Sequence, residues 1–483
     1  MKKHILIIAA IVAAYFPDGM SAQKVTMTKG PVLPYTLVKG SEPINFVIGT
    51  NRFFITRKFE SAVLNFVQNA YTESGSALSA GKIEIPVGDF KNSFSIREII
   101  HFAGKEYALI ENTDKNTSMN TLLAREVDKD GSVSSSETAV MSFGFKKLMN
   151  SGFHHAAVSP GHTKVAFMGN LPVEKEFPGK CKIAVYDQQL KVVKEAEVEL
   201  PGEDTKNKTL ELAVGDDGTV YIIKKTMSKN GEMVLTVYQW SEKGAPMKEY
   251  VIDPGAPMFP TSFTWTVNAK SELIVAGVYY KRMTLSTGEK MMNGVFYYTN
   301  KNKSENIFKT IDLDKPVENL VIRDIKMSGS VVFLLTEQFK EVRDPQPTGT
   351  TTIVENYTYT HKSCFVIGVT EDGAKKFQLE MAKDATSRNL DQLDFAAFFI
   401  CKGKLTVIYN DETKKYIPGG YGRTPVMVTI SPEGLMSAPL VFKDNLKLEY
   451  LLYPCYGVQV ADNQLSFLSG SGAQARMITL TID

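Results

Sequence analysis

The chain has 483 residues and a formal net charge of +2, from 55 Lys and Arg against 53 Asp and Glu. Apolar residues make up 43% and charged residues 22%, so a folded core can offset the entropy of ordering the chain, and disorder is excluded as the main state. No basic excess exists to neutralise a nucleic-acid backbone, and four cysteines in this length exclude a scaffold built on disulfides.

The first segment reads as an address. Lys2 and Lys3 precede an unbroken apolar run, Ile5–Phe16, which Pro17, Asp18 and Gly19 end. Ser21-Ala22-Gln23 then offers a small-residue cleavage site. That order predicts a secretory signal peptide over residues 1–22. The run is about 12 residues, short of the roughly 20 that span a bilayer, and no later run is longer. The expectation is an exported protein of bacterial type, periplasmic or secreted, with one domain over residues 23–483 and no membrane insertion.

The remainder repeats. A short apolar stretch, a polar turn and a second apolar stretch recur eight times. The turns are Gly49-Thr50-Asn51, Ala103-Gly104-Lys105, Ser159-Pro160-Gly161-His162, Gly215-Asp216-Asp217-Gly218, Asn268-Ala269-Lys270, Ser328-Gly329, Lys402-Gly403-Lys404 and Ala461-Asp462-Asn463. The flanks are β-branched and aromatic, which marks hairpins. A second turn follows in most units, as in Asp128-Lys129-Asp130-Gly131, Ser241-Glu242-Lys243-Gly244, Thr370-Glu371-Asp372-Gly373 and Ser431-Pro432-Glu433-Gly434. Four short antiparallel strands per unit predict an all-β fold, a single β-propeller, with eight blades preferred and seven the alternative. The last unit supplies only three strands, Cys455–Val460, Leu465–Leu468 and Ala475–Ile482. The extra run Val32–Lys39 is therefore expected to complete it, because an open sheet edge invites aggregation.

Residues Ala157-Val158-Ser159-Pro160-Gly161-His162-Thr163-Lys164-Val165-Ala166-Phe167 resemble one hairpin of TolB-type exported bacterial propellers, with His162 in place of that turn's aspartate. The resemblance implies the architecture. It brings no functional residues, because the turn is structural in that family.

In a propeller the first strand of each blade lines the channel, and the loops between the second and third strands join those between blades at one mouth. The long segments Gly169–Lys180, Lys281–Asn293, Glu341–His361 and Asn410–Thr424 meet there. Candidate ligand-binding residues are His154, Arg323, Asp324, Asp394, Tyr416, Tyr421 and Arg423, with Tyr357 and Tyr359 beside them. Rings stack on apolar faces while phenols and guanidinium groups hydrogen-bond, a chemistry that suits a glycan or peptide. His154 and His155 are adjacent on a strand and so point opposite ways; the other histidines fall in other units, which argues against a metal site. Trp265 is read as core, and Cys181, Cys364, Cys401 and Cys455 as buried free thiols. No nucleophile elbow, zinc motif or phosphate loop is present, and no cofactor is called for. The expected function is an exported, non-catalytic propeller that binds a protein, peptide or glycan at its channel mouth. The alternative is a carbohydrate-active hydrolase or lyase whose acids come from different blades: Asp394, Asp324 and Glu176.

Overall fold

The computed structural model describes residues 24–30, 33–34, 42–48, 51–60, 63–72, 77–83, 92–128, 133–147, 151–171, 180–200, 209–227, 232–281, 291–343, 357–388, 394–419, 422–445, 449, 451–471 and 474–483. These residues form eight antiparallel sheets with a four-strand meander as the common unit. The second sheet runs Asn92–Phe102, Lys105–Asp114, Met119–Val127 and Thr138–Gly144. The third runs Phe153–Val158, Val165–Asn170, Lys180–Tyr186 and Val192–Glu199. The sixth runs Leu320–Ser328, Val331–Arg343, Tyr357–Thr370 and Lys375–Met381, and Ala385–Arg388 pairs onto its third strand. The seventh runs Ala397–Cys401, Lys404–Glu412, Arg423–Ile430 and Leu440–Val441. This is a β-propeller.

The second strand is largely buried in the third, fourth, fifth and seventh units, and Val165–Asn170 is buried at every position. A strand buried on both faces needs a neighbouring sheet on each side. Consecutive sheets from the second to the eighth supply this, sharing apolar clusters such as Phe102, Leu109, Phe167 and Tyr186, or Leu335, Val366, Leu405 and Val428.

The first turns of neighbouring sheets are tied together. The Ser159 hydroxyl accepts from the Thr163 and Lys164 amides at 3.1 and 3.0 Å. The Gly161 amide donates to Asp216 of the next turn at 2.9 Å. The Asp217 amide donates to Ser271 of the turn after that at 3.3 Å, and the Ser328 hydroxyl donates to the Gly403 carbonyl at 2.6 Å. These relays hold the end opposite the long loops. Gly277 shows how tightly two strands approach inside a sheet: a methyl there would overlap the Phe296 ring and the Ser262 carbonyl. Gly277→Ala is expected to cost about 1–3 kcal/mol, read as a lowered urea midpoint at unchanged slope.

The amino-terminal strand does complete the last sheet, in a different register from the expected one. Val25–Lys29 pairs antiparallel along the final strand, with Val25 opposite Ile482 and Lys29 opposite Ile478. Of the expected run, Leu33 and Pro34 pair with Ala475 and Gln474; Val32 and residues 35–39 lie outside the described residues, as do residues 1–23. Val25 and Met27 pack inward on the cluster around Phe467 and Ile478, and that alternation selects the earlier segment.

Three further expectations are corrected. Both ends of the expected loop Glu341–His361 are strand, because the hairpin of the sixth sheet extends beyond its neighbours. Ala385–Arg388, in a stretch to which the hairpin pattern assigns no strand, is a strand that pairs with that extension, Thr386 opposite Thr360. Cys455 is exposed in the 3-10 turn Pro454–Tyr456, which precedes the strand; the other three cysteines are buried, and no disulfide joins any of the four.

Candidate ligand site at the channel mouth

The first strands of three neighbouring sheets line one cavity. This cavity, of about 330 Å³, is walled by His155, Glu211 and Trp265 from the third, fourth and fifth sheets. Trp265, read from the sequence as core, is therefore a half-buried wall residue.

Above the channel, the sixth and seventh sheets bring Arg323, Asp394 and Arg423 into one network. Its centre is Glu337, fully buried on the second strand of the sixth sheet. Arg323 Nε donates to Glu337 Oε2 at 2.9 Å. Lys383 donates to Glu337 Oε1 and to the Asp394 carbonyl. His361 Nδ1 lies 3.2 Å from Glu337 Oε2. Arg423 ties the seventh sheet to this group by donating to the Asp394 carboxylate and to the Thr386 carbonyl. Burial works to raise the Glu337 pKa, but Lys383, His361 and Arg323 outweigh it and hold the carboxyl below its ordinary range. Three cations thus face two carboxylates.

Arg323 falls at a β-bulge, between the pairs Ile322–Thr336 and Asp324–Leu335. A bulge re-aims its side chain. The guanidinium lies 4.6 Å from the ring centroids of both Phe339 and Phe395, a cation–π sandwich. Its Nη2 has no hydrogen-bond partner among the described residues. On the projecting hairpin, Phe339 stacks on Tyr359 at 6.3 Å and Tyr359 on Tyr357 at 6.2 Å. Tyr416 adjoins the network through Asp411, which accepts from the Tyr416 hydroxyl at 2.8 Å, from Lys415 at 2.9 Å and from the Asp384 amide at 3.2 Å.

His154 lies elsewhere. Its Nδ1 contacts Glu111 Oε1 at 2.9 Å, and Glu111 also pairs with Arg97 and accepts from Asn120 at 3.0 Å. Burial pushes Glu111 upward, yet the His154 hydrogen bond and Arg97 leave its pKa lowered. His155 is pushed down to about 4 by burial and then by Arg97, so it is neutral at physiological pH. Glu98, next to Arg97, is raised to about 7 by burial.

Asp324 does not join either group. It pairs with Lys326 at 2.9 Å and accepts from the Ile325 amide at 2.8 Å, because the bulge turns it away from its neighbour Arg323. Tyr421 and Glu176 lie outside the described residues.

Glu337, His361, Lys383, Arg97 and Glu111 escaped the sequence reading. A signal for three of them, Arg97, Glu111 and Glu337, was present: Ile96-Arg97-Glu98-Ile99 and Ile322-Arg323-Asp324-Ile325 repeat, and each arginine is followed fourteen positions later by a glutamate, 111 − 97 = 337 − 323 = 14. Lys383 carries no such mark.

No family model and no curated protein matches the chain. Solved structures similar to it include a polysaccharide lyase, at 10% identity and a TM-score of 0.37 over 80% of this chain and 89% of that one. Another is a Penicillium chrysogenum alpha-L-arabinanase in complex with arabinobiose, at 11% and 0.34 over 65% and 94%. The endosialidase of phage phi92 is similar at 9% and 0.36 over 89% and 76%. Identities near one in ten leave the chemistry to be read from this chain's own residues.

Proposed function

We propose that this protein is an exported, eight-bladed glycan-directed propeller, which holds an acidic saccharide at the mouth above its sixth and seventh sheets. One observation carries the reading: Arg323, held between two aromatic rings with an unpartnered Nη2, sits in a network with one positive charge in excess. A planar guanidinium suits a carboxylate because it offers two parallel donors. The stacked rings of Phe339, Tyr359 and Tyr357 add faces on which a sugar ring rests.

Affinity electrophoresis tests this. Polygalacturonate in the gel is expected to retard the protein, and neutral amylose or xylan is not. Arg423→Gln, which leaves the rings in place, is expected to weaken retention about tenfold or more, the scale of one charge-assisted contact. Equal retention by neutral and acidic polymers would overturn the reading.

A second reading, a carbohydrate-active hydrolase or lyase, is favoured by Glu98. Asp394 is paired with Arg423, and Asp324 with Lys326. Glu98 is raised to about 7, and Glu111 on the neighbouring strand of the same sheet is held below its ordinary range. Two carboxyls whose surroundings move them in opposite directions are the pattern that divides acid from base. Release of reducing ends or unsaturated products from polysaccharide pools, lost in Glu98→Gln, supports catalysis; binding without turnover rejects it.

A further inference from the structure

Two places in this molecule are built alike. Arg97 occupies a β-bulge on the first strand of the second sheet, between Ile96–Ile110 and Glu98–Leu109, and Arg323 occupies the same bulge in the sixth. The glutamate that each arginine pairs with, Glu111 or Glu337, stands opposite the residue two positions before it, Ser95 or Val321. A buried histidine Nδ1 meets each glutamate, from His154 or His361, and the Nε2 of both histidines has no partner among the described residues. A phenylalanine ring covers each imidazole, Phe143 at 4.7 Å and Phe339 at 4.9 Å.

We infer that the mouth carries two acid-binding stations, at Arg97 and at Arg323, and that its ligand is a polymeric acidic saccharide long enough to touch both. The inference rests on the glycan reading above. The glutamate holds one nitrogen of each guanidinium, Arg97 Nη2 on Glu111 and Arg323 Nε on Glu337. Five donors are present on an arginine, so an edge remains for a ligand carboxylate. Both side chains reach solvent, Arg97 to 43% and Arg323 to 20%. The stations lie four sheets apart, which in an eight-bladed ring is the opposite wall of the mouth. A single small anion needs one station; two facing stations serve a chain that crosses the opening. The aromatic ladder beside Arg323 favours a saccharide over an acidic peptide.

Calorimetry with trigalacturonate and with polygalacturonate tests this on the full chain. The expected stoichiometry for the trimer is two per protein, falling to one in Arg97→Gln with the remaining affinity unchanged. The polymer is expected to lose about a hundredfold in affinity in the same variant, because the second contact is intramolecular once the first is made. Arg97→Lys keeps the charge against Glu111 and covers the case in which the glutamine variant does not fold; it is expected to weaken the polymer by a smaller factor. One trimer per protein, with polymer affinity indifferent to Arg97, overturns the second station and leaves the proposed function standing. Absence of any galacturonate binding overturns both. Polyglutamate binding as tightly as polygalacturonate overturns the choice of saccharide.

Discussion

Replacing Glu337 by glutamine is expected to lower folding stability by about 3–5 kcal/mol at neutral pH, the range for breaking a buried ion pair from one side. The carboxylate is fully buried and is the shared acceptor of Lys383 and Arg323. An amide of the same shape leaves Lys383, itself buried, with a charge and no counter-charge. The pH dependence follows from the direction of the shift. Because the folded pKa of Glu337 lies below 4.5, its contribution is present above pH 4.5 and is lost as pH falls toward the folded value. Urea denaturation at pH 7, 5 and 3.5 is therefore expected to show a gap between wild type and Glu337→Gln that narrows with acid. A gap that does not change with pH would mean that Glu337 is not held ionised by its neighbours.

Glu98→Gln is expected to act in the opposite sense. Burial raises the Glu98 carboxyl from 4.5 to about 7, so the folded protein prefers it neutral. The stability this group contributes is full below pH 4.5 and is lost as pH rises through 7. A shift of that size corresponds to about 3 kcal/mol at 1.36 kcal/mol per pKa unit. The glutamine variant carries no proton to lose. Its stability is expected to equal wild type near pH 4 and to exceed it by about 3 kcal/mol at pH 8, measured by urea midpoints. Equal stability at both pH values would place Glu98 in solvent. The same variant serves the catalytic reading: a gain in stability with loss of product release is the pattern of a strained proton donor.

Much of the fold was legible in the chain. Hairpin signals are local, since a strand–turn–strand pattern needs only period-two alternation and turn residues with the right backbone freedom. All eight first turns mark junctions between strands that pair in the structure, and the need to close the last sheet followed from counting its strands. The register of that closure was not legible. Val25–Lys29 and Leu33–Pro34 are both extended, and only packing against Phe467 and Ile478 selects between candidate partners. The site was half legible. Arg323 and Asp394 stood out as charged residues near strand starts and Arg423 as a cation in a long loop, whereas Asp324, equally charged and adjacent to Arg323, points elsewhere because a bulge separates their directions.

The sequence by itself determined the repeated four-strand unit, the end of each unit at which long segments gather, and the paired Ile-Arg-acidic-Ile motifs with a glutamate fourteen residues on. These depend on neighbours along the chain, where period and spacing are sufficient. Only the tertiary structure decided that Glu337 and Lys383, 46 residues apart, share one buried centre with Asp394 and Arg423. It also decided that Arg323 lies between two rings, and that burial separates Glu98 from Glu111 in protonation. Each is a matter of which charges face one another away from water, and that is set by how separate sheets pack.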